Sequence, residues 1–106
     1  MVDMDDNFTK NLKTLIKYSS GGITSKVLFK DDRDNVTLFC MAKGTDMSEH
    51  TSTMEGTIYV IEGKGVFTLE GKDIDMIPET LILMKKNAKH SIRAKSDTAF
   101  LLSLHK

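Results

Sequence analysis

The residues best suited to chemistry lie in one polar segment of the chain, KGTDMSEHTSTMEG (43–56). It carries His50 at its centre, acidic side chains that include Glu49 and Glu55, and the hydroxyl of Ser52, and apolar segments flank it on both sides. Imidazole and carboxylate groups are the ligands that many divalent transition metals prefer. Because binding and catalytic residues are concentrated on loops held by a rigid scaffold, we expect a functional site in this segment.

The elements that must position this site begin with one predicted helix. Phe8, Leu12, Leu15 and Ile16 repeat at the spacing of a one-sided helical stripe, and the glycines of SSGG (19–22) end the pattern. A helix this short does not persist alone, so its apolar stripe must pack against the rest of the protein. We therefore assign residues 1–22 to an N-terminal helical segment.

After residue 22 the pattern changes to short apolar or alternating runs, which predict β-strands. The predicted strands are 23–30, 35–42, 57–62, 65–70, 72–77, 80–84, 90–94 and 98–104. Glycines at EGKG (62–65) and at Gly71 indicate tight turns, so 57–77 is predicted to form a three-stranded antiparallel meander with Ile58 and Val60 facing the interior. Eight short strands predict a small barrel or sandwich over 23–106, with the polar segment 43–56 as a loop.

Composition limits the class of partner and the compartment. The 106 residues suit one domain, and 15 basic side chains balance 15 acidic ones. This balance argues against nucleic acid or an anionic membrane as the main partner and permits self-association. No apolar run is long enough to span a membrane, the first residues are acidic, and the single cysteine, Cys40, lies in an apolar run. We expect a cytoplasmic protein with Cys40 in the core.

The polar segment resembles the first sequence motif of the cupin superfamily. Gly44 is followed after five residues by His50, and Gly63 closes the motif at the matching distance. Two of the motif's metal-ligand positions differ, because Ser52 stands at the second histidine and Gly56 at the glutamate.

A second, weaker resemblance lies in ETLILMKKNAKHSIRA (79–94). Only His90 matches the second cupin motif unchanged, while Glu79 and Asn87 stand where that motif has glycines. Asparagine enters the left-handed backbone region more readily than most residues, so Asn87 suits a glycine position. The chain is most similar to small single-domain cupins with an EHTS-like signature. The resemblance implies an all-β cupin double-stranded β-helix, a small jelly-roll barrel, with a short N-terminal helix.

The resemblance also implies where a metal would bind. Cupins hold a divalent metal with histidines and a carboxylate, and the matching positions here provide His50 and His90. Ser52 is a poor ligand and Gly56 is none, so the resemblance implies a weakly held Zn, Mn, Fe, Ni or Cu ion at most. Glu55 completes the set only if a bulge beside Gly56 turns it inward, because it is one residue out of phase with the motif's acid.

From these observations the leading hypothesis is a cupin that binds a small molecule beside a partial metal site. Ser52, Met54 and Met84 are the expected pocket residues, with His50, His90 and Glu55 at the metal. One alternative is a metal-dependent oxygenase or isomerase, and another is a metal-free regulatory or sensing module. We also expect a homodimer in which the N-terminal helix or a strand from 23–42 contributes to the interface.

Overall fold

The structure is a computed structural model that describes residues 9–106, and within that range it consists of nine strands and one short helix. The elements are α1 Leu12–Leu15, β1 Ile23–Lys30, β2 Asp34–Met41, β3 Asp46–His50, β4 Glu55–Glu62, β5 Gly65–Leu69, β6 Lys72–Met76, β7 Leu81–Met84, β8 His90–Ala94 and β9 Thr98–His105. The strands form a five-stranded sheet in the order β1-β2-β9-β4-β7 and a four-stranded sheet in the order β3-β8-β5-β6. This is the predicted all-β jelly roll. The helix in the described range has neither the length nor the apolar character to cross a membrane.

The N-terminal helix is shorter than the apolar stripe suggested. It covers only Leu12–Leu15, and Asn11 caps it by accepting a hydrogen bond from the backbone N–H of Lys13. The backbone is extended again at Ile16. Phe8, the first residue of the predicted stripe, lies outside the described residues.

The eight predicted strands are present with small shifts at their ends, but the prediction of a loop over 43–56 was wrong. That segment contains β3 and the start of β4. Strand β3 escaped detection because only Met47 is half-buried while its other four residues are exposed, so there is no alternation. Backbone pairing with β8 holds β3 in place, through partners such as Met47 and Ile92.

The prediction of a three-stranded meander over 57–77 was also wrong. Strand β4 pairs with β7 and β9, whereas β5 pairs with β6 and β8, so the turn at Gly63 carries the chain from one sheet to the other. Of the two turns in this stretch, only the one at Gly71 closes a hairpin, between β5 and β6. The turn at Gly63 is fixed to the strand start at Thr98, whose hydroxyl accepts a hydrogen bond from the backbone N–H of Lys64. That contact positions β5 to pair with β8.

Two apolar clusters lie on opposite faces of the five-stranded sheet. The larger fills the barrel and includes Ile58 and Val60, which face the interior as predicted. The smaller lies beneath the N-terminal segment, where Leu15 and Ile16 pack against a buried group that contains Cys40. The N-terminal segment therefore covers the outer face of the five-stranded sheet, on the side away from the barrel interior.

Candidate functional site

His50 and His90 lie side by side at one end of the four-stranded sheet. They end β3 and begin β8, are paired across the two strands, and have imidazole centroids 4.1 Å apart with an angle of 62° between the rings. A bulge in β3 brings the two imidazole rings together. Met47 and His50 are three positions apart while their partners Ile92 and His90 are two apart, so one extra residue in β3 turns His50 to the inner face.

Each histidine is fixed by the backbone of its own strand. Nδ1 of His50 lies 2.7 Å from the carbonyl oxygen of Ser48, and Nδ1 of His90 lies 3.0 Å from that of Ala88. A carbonyl oxygen can only accept, so both Nδ1 atoms donate their hydrogen. In the neutral ring the Nε2 atom then carries the lone pair. Both imidazoles are therefore prepared to accept a hydrogen bond or to ligate a metal through Nε2.

The two histidines differ in burial. His90 is only 5% exposed, and its ring is stacked on Phe67 with the centroids 5.8 Å apart, whereas His50 is exposed. Burial lowers the pKa of His90, and the nearby His50 lowers it further against the raising effect of the Ala88 hydrogen bond. His90 is thus kept neutral at the inner wall of the site, and His50 stands at its mouth.

The histidines line a small cavity of about 60 Å³ in the barrel. The other walls are apolar, and two of them, Phe39 and Phe100, are stacked 5.3 Å apart. The full lining is Phe39, Met47, His50, Ile58, Phe67, Met84, His90, Ile92, Phe100 and Leu102. Since one water needs about 10–15 Å³ of such space, the cavity holds about four waters or a ligand group of similar size.

Of the three residues expected to form the pocket, Met84 lines this cavity and the other two do not. The hydroxyl of Ser52 accepts a hydrogen bond from the backbone N–H of Met54, and the carbonyl of Ser52 accepts one from the N–H of Asn87. Ser52 and Met54 therefore shape the β3–β4 loop and tie it to the loop before β8. Phe39 also lines the cavity but was not predicted to do so. The only sign of this role in the sequence is its place in an apolar strand.

The turn positions of the two motif-like segments have the backbone conformation that glycine favours. Gly44 has φ +85° and Gly63 has φ +105°, while Glu79 and Asn87, which stand at the second motif's glycines, have φ +72° and +67°. The left-handed conformation predicted for Asn87 is confirmed. The backbone of both segments thus follows the motif geometry even where the glycines are replaced.

Comparison with known proteins identifies the family. The sequence model of the cupin domain matches residues 37–104, which is more than half of the chain. The chain belongs to the cupin family. No curated protein matches it significantly.

Several solved structures are similar to this cupin. A cupin superfamily protein from Desulfitobacterium hafniense shares 24% identity with a TM-score of 0.86, covering 94% of this chain and 92% of its own. The cupin domain of an XRE family transcriptional regulator from Enterobacter cloacae shares 20% with a TM-score of 0.72, covering 80% and 97%. Salicylate 1,2-dioxygenase from Pseudoaminobacter salicylatoxidans shares 12% with a TM-score of 0.74, covering 79% and 26%. At these identities the likeness establishes the fold alone.

Glu55 is not brought together with the two histidines. It pairs with His105 at the start of β4, and its carboxylate lies 3.3 Å from the ammonium of Lys85. The bulge beside Gly56 that would turn Glu55 inward is absent, because β4 keeps a regular register until Val60, so Glu55 stays out of phase with the inward-facing Ile58.

Gly56, which stands at the position of the family's glutamate, is also closely surrounded by other side chains. A Cβ added to Gly56 would lie 3.0 Å from both Leu104 Cδ2 and Met84 Cε, so the ends of these two side chains would have to shift to admit a ligand side chain there. Among residues 9–106 no group of three or more His, Cys, Asp or Glu side chains is placed to hold a metal. The site does not fit a three-histidine-plus-carboxylate centre; it offers two imidazoles.

Proposed function

We propose that this cupin binds a small molecule inside the barrel, with His50 and His90 as its polar contacts. The observation that carries the proposal is the pair of imidazoles, 4.1 Å apart, on the wall of an otherwise apolar cavity. An apolar cavity with a few convergent polar groups is the usual form of a small-molecule site.

The geometry favours a particular ligand chemistry. Because His90 is neutral and its Nδ1 donates to the backbone, its Nε2 accepts a hydrogen bond, which suits a ligand hydroxyl or N–H group. The cavity admits only a few non-hydrogen atoms, so a larger ligand must continue outward past the exposed His50. We therefore infer a neutral ligand whose small donor group enters the barrel.

A two-histidine metal site is the second candidate. It is favoured by the backbone carbonyls that fix both Nδ1 atoms, because such partners orient metal-ligating histidines. Two imidazoles would hold Zn, Mn, Fe, Ni or Cu weakly. The metal-dependent oxygenase or isomerase needs a third ligand, and Glu55 is engaged with Lys85 instead. The metal-free sensing module and the cytoplasmic location stay predictions.

Ligand binding is tested by titrating ¹⁵N-labelled protein with isopropanol, acetamide and phenol while following the imidazole resonances. We expect a saturable shift at both histidines with at least one probe, loss of that shift in His50→Ala, and no change in the neighbouring control Glu49→Ala. The absence of a saturable shift with every probe, or its survival in His50→Ala, would overturn the proposal.

The metal candidate is tested by calorimetry with Zn, Mn, Ni, Cu and Fe(II) on the same proteins and on His90→Ala. Weak binding that disappears in both histidine variants and declines as the pH is lowered, because protons compete with the metal for the imidazole nitrogens, supports the two-histidine site. Fragment binding without metal heat supports the metal-free cupin. Stoichiometric metal in untagged purified protein supports the enzyme.

A further inference from the structure

A groove of about 410 Å³ lies on the outer face of the five-stranded sheet, between the N-terminal segment and strands β1 and β2. It is larger than the barrel cavity, and its volume falls within the range of about 300–1,000 Å³ that is usual for small-molecule sites. The alternation of side chains along β2 separates the two cavities, since Phe39 lines the barrel cavity whereas Leu38 and Cys40 line the groove. The groove is therefore separate from the histidine site.

The floor of the groove is apolar, and a polar row runs beside it. Leu38 and Cys40 are 2% and 3% exposed and pack with Leu15 of the N-terminal segment. In the pairing of β1 with β2, Thr24 is opposite Cys40 and Lys26 is opposite Leu38, so the paired side chains leave the sheet on the same face. Lys26 therefore stands beside the apolar floor.

The N-terminal segment is fixed over this floor at two points. The hydroxyl of Thr24 donates a hydrogen bond of 3.3 Å to the carbonyl of Lys17, and the hydroxyl of Tyr18 donates one of 2.8 Å to Glu62. Glu62 also lies 3.6 Å from the ammonium of Lys13. Burial and the Glu62 carboxylate raise the pKa of Tyr18 above its usual range, so the hydroxyl stays protonated and remains a donor. The wall that this segment forms is therefore in place before any ligand binds.

The charge of the groove is positive. Lys17 and Lys26 are the charged residues of its lining, and both are exposed. Within residues 9–106 neither ammonium group lies in a salt bridge, and no carboxylate lines the groove. Two ammonium groups without a counter-charge beside an apolar floor suit an anion that also has a hydrocarbon part.

We propose that this groove binds a small monocarboxylate, with its apolar body on Leu38 and Cys40 and its carboxylate between Lys17 and Lys26. A more highly charged anion is more strongly hydrated and would lose more on leaving water for an apolar floor. The histidine cavity was assigned a neutral ligand instead, so this second site stands apart from the proposed function.

The site is tested by titrating ¹⁵N-labelled protein with benzoate while following the backbone amides, with benzamide as the uncharged control. We expect saturable shifts centred on Thr24, Lys26 and Cys40, and a dissociation constant about fivefold or more lower for benzoate than for benzamide. The absence of saturable shifts, or equal affinity for benzamide, would overturn the proposal. Shifts that appear only at the imidazoles of His50 and His90 would place benzoate in the barrel and overturn it as well.

The role of the two lysines is tested by removing their charges. Lys17→Met combined with Lys26→Met should raise the dissociation constant for benzoate about fivefold or more, since both ammonium groups are lost while the aliphatic stems are kept. Lys10→Met combined with Lys30→Met is the matched control. It removes the same net charge from exposed residues outside the groove and should change the constant by about twofold or less. Equal weakening in the two double variants would contradict the site.

The homodimer expected from the sequence, with the N-terminal helix or a strand from 23–42 at its interface, stays a prediction. A second copy seated on the groove would compete with the carboxylate. Repeating the titration at several protein concentrations separates the two occupants, because binding of the carboxylate depends on benzoate. Groove amides that shift with protein concentration and not with benzoate would show a second copy in the groove and overturn the proposal.

Discussion

In the two motif-like segments of this cupin, the turn positions keep the backbone conformation of the family, whereas only some of the ligand positions keep its metal ligands. At the turns, Gly44, Gly63 and Asn87 all have positive φ, as the motif geometry requires. At the ligand positions, His50 and His90 are present, but the places of the other two ligands hold a loop serine and Gly56.

The difference has a physical basis. A turn residue that resists positive φ strains the backbone, and at Gly63 an added side chain would also meet the backbone of Asp97 and Thr98, so either change destabilises the fold. A missing ligand costs only the metal, and neighbouring side chains can fill the space, as Leu104 and Met84 do beside Gly56. Membership of the cupin family therefore predicts the turn conformations of this protein better than it predicts its chemistry.

The largest effect should come from Gly63→Ala. An added Cβ would collide with the carbonyl oxygen of Asp97 and lie 2.5 Å from Thr98 Cα, both rigid backbone atoms, at a φ that alanine disfavours. We expect a loss of about 3 kcal/mol or more in the free energy of unfolding, measured with urea. Gly44→Ala is the control, because it shares the positive φ but has open space around it, and it should lose only about 1–2 kcal/mol. Equal losses would show that the close approach at Gly63 is unimportant.

Gly56→Glu, which restores the family's acid, should destabilise the fold rather than complete a metal centre. Overpacking against Leu104 and Met84 should cost about 1–3 kcal/mol in urea unfolding. Thr57→Glu, one residue further along β4 and directed to the other face, is the control and should change stability by about 0.5 kcal/mol or less. A Gly56→Glu protein of wild-type stability that binds nickel in calorimetry would mean that the ligand position is still open.

Asn87→Ala should cost about 1 kcal/mol, because alanine at φ +67° is strained where asparagine is tolerated. Asn87→Gly should be nearly neutral, and the adjacent exposed Lys86→Ala serves as the control. Thermal unfolding distinguishes the three. If alanine were as stable as glycine at position 87, the backbone constraint assigned to this turn would be contradicted.

The last prediction concerns how the free energy of unfolding changes with pH rather than its value at neutral pH. Because the pKa of His90 is lowered in the folded state, the unfolded chain binds more protons below about pH 6.5. The free energy of unfolding should therefore fall as the pH is lowered from 7 toward 5, and His90→Gln should flatten this dependence. Ser91→Ala, which keeps the histidine, should retain the wild-type slope. A variant as steep as wild type would show that another group is responsible.

Sequence patterns predicted those parts of the fold that depend on local residue properties. The alternation in β4 placed Ile58 and Val60 inside, and the left-handed conformation of Asn87 followed from its residue type. Strand β3 was not predictable in this way, because an exposed edge strand that contributes little to the core has no alternation and is held by its partner.

The site was predictable only in part for a related reason. The resemblance to the family indicated His50 and His90, but whether they face each other depends on a bulge in β3 that no residue type signals. The prediction of a meander over 57–77 was wrong because the turn at Gly63 suits either a hairpin or a crossing between sheets. The choice is made by a distant contact with Thr98.

The position of β9 has a consequence for how the protein is made. Strand β9 lies between β2 and β4 and is paired with both along most of its length, although it is the last of the nine strands to be synthesised. Until it leaves the ribosome, β2 and β4 have no neighbour to join them, and the five-stranded sheet cannot assemble. Because such distant pairings pay their loop-closure entropy before they gain contacts, folding of this sheet should be slow and should begin only after β9 has left the ribosome.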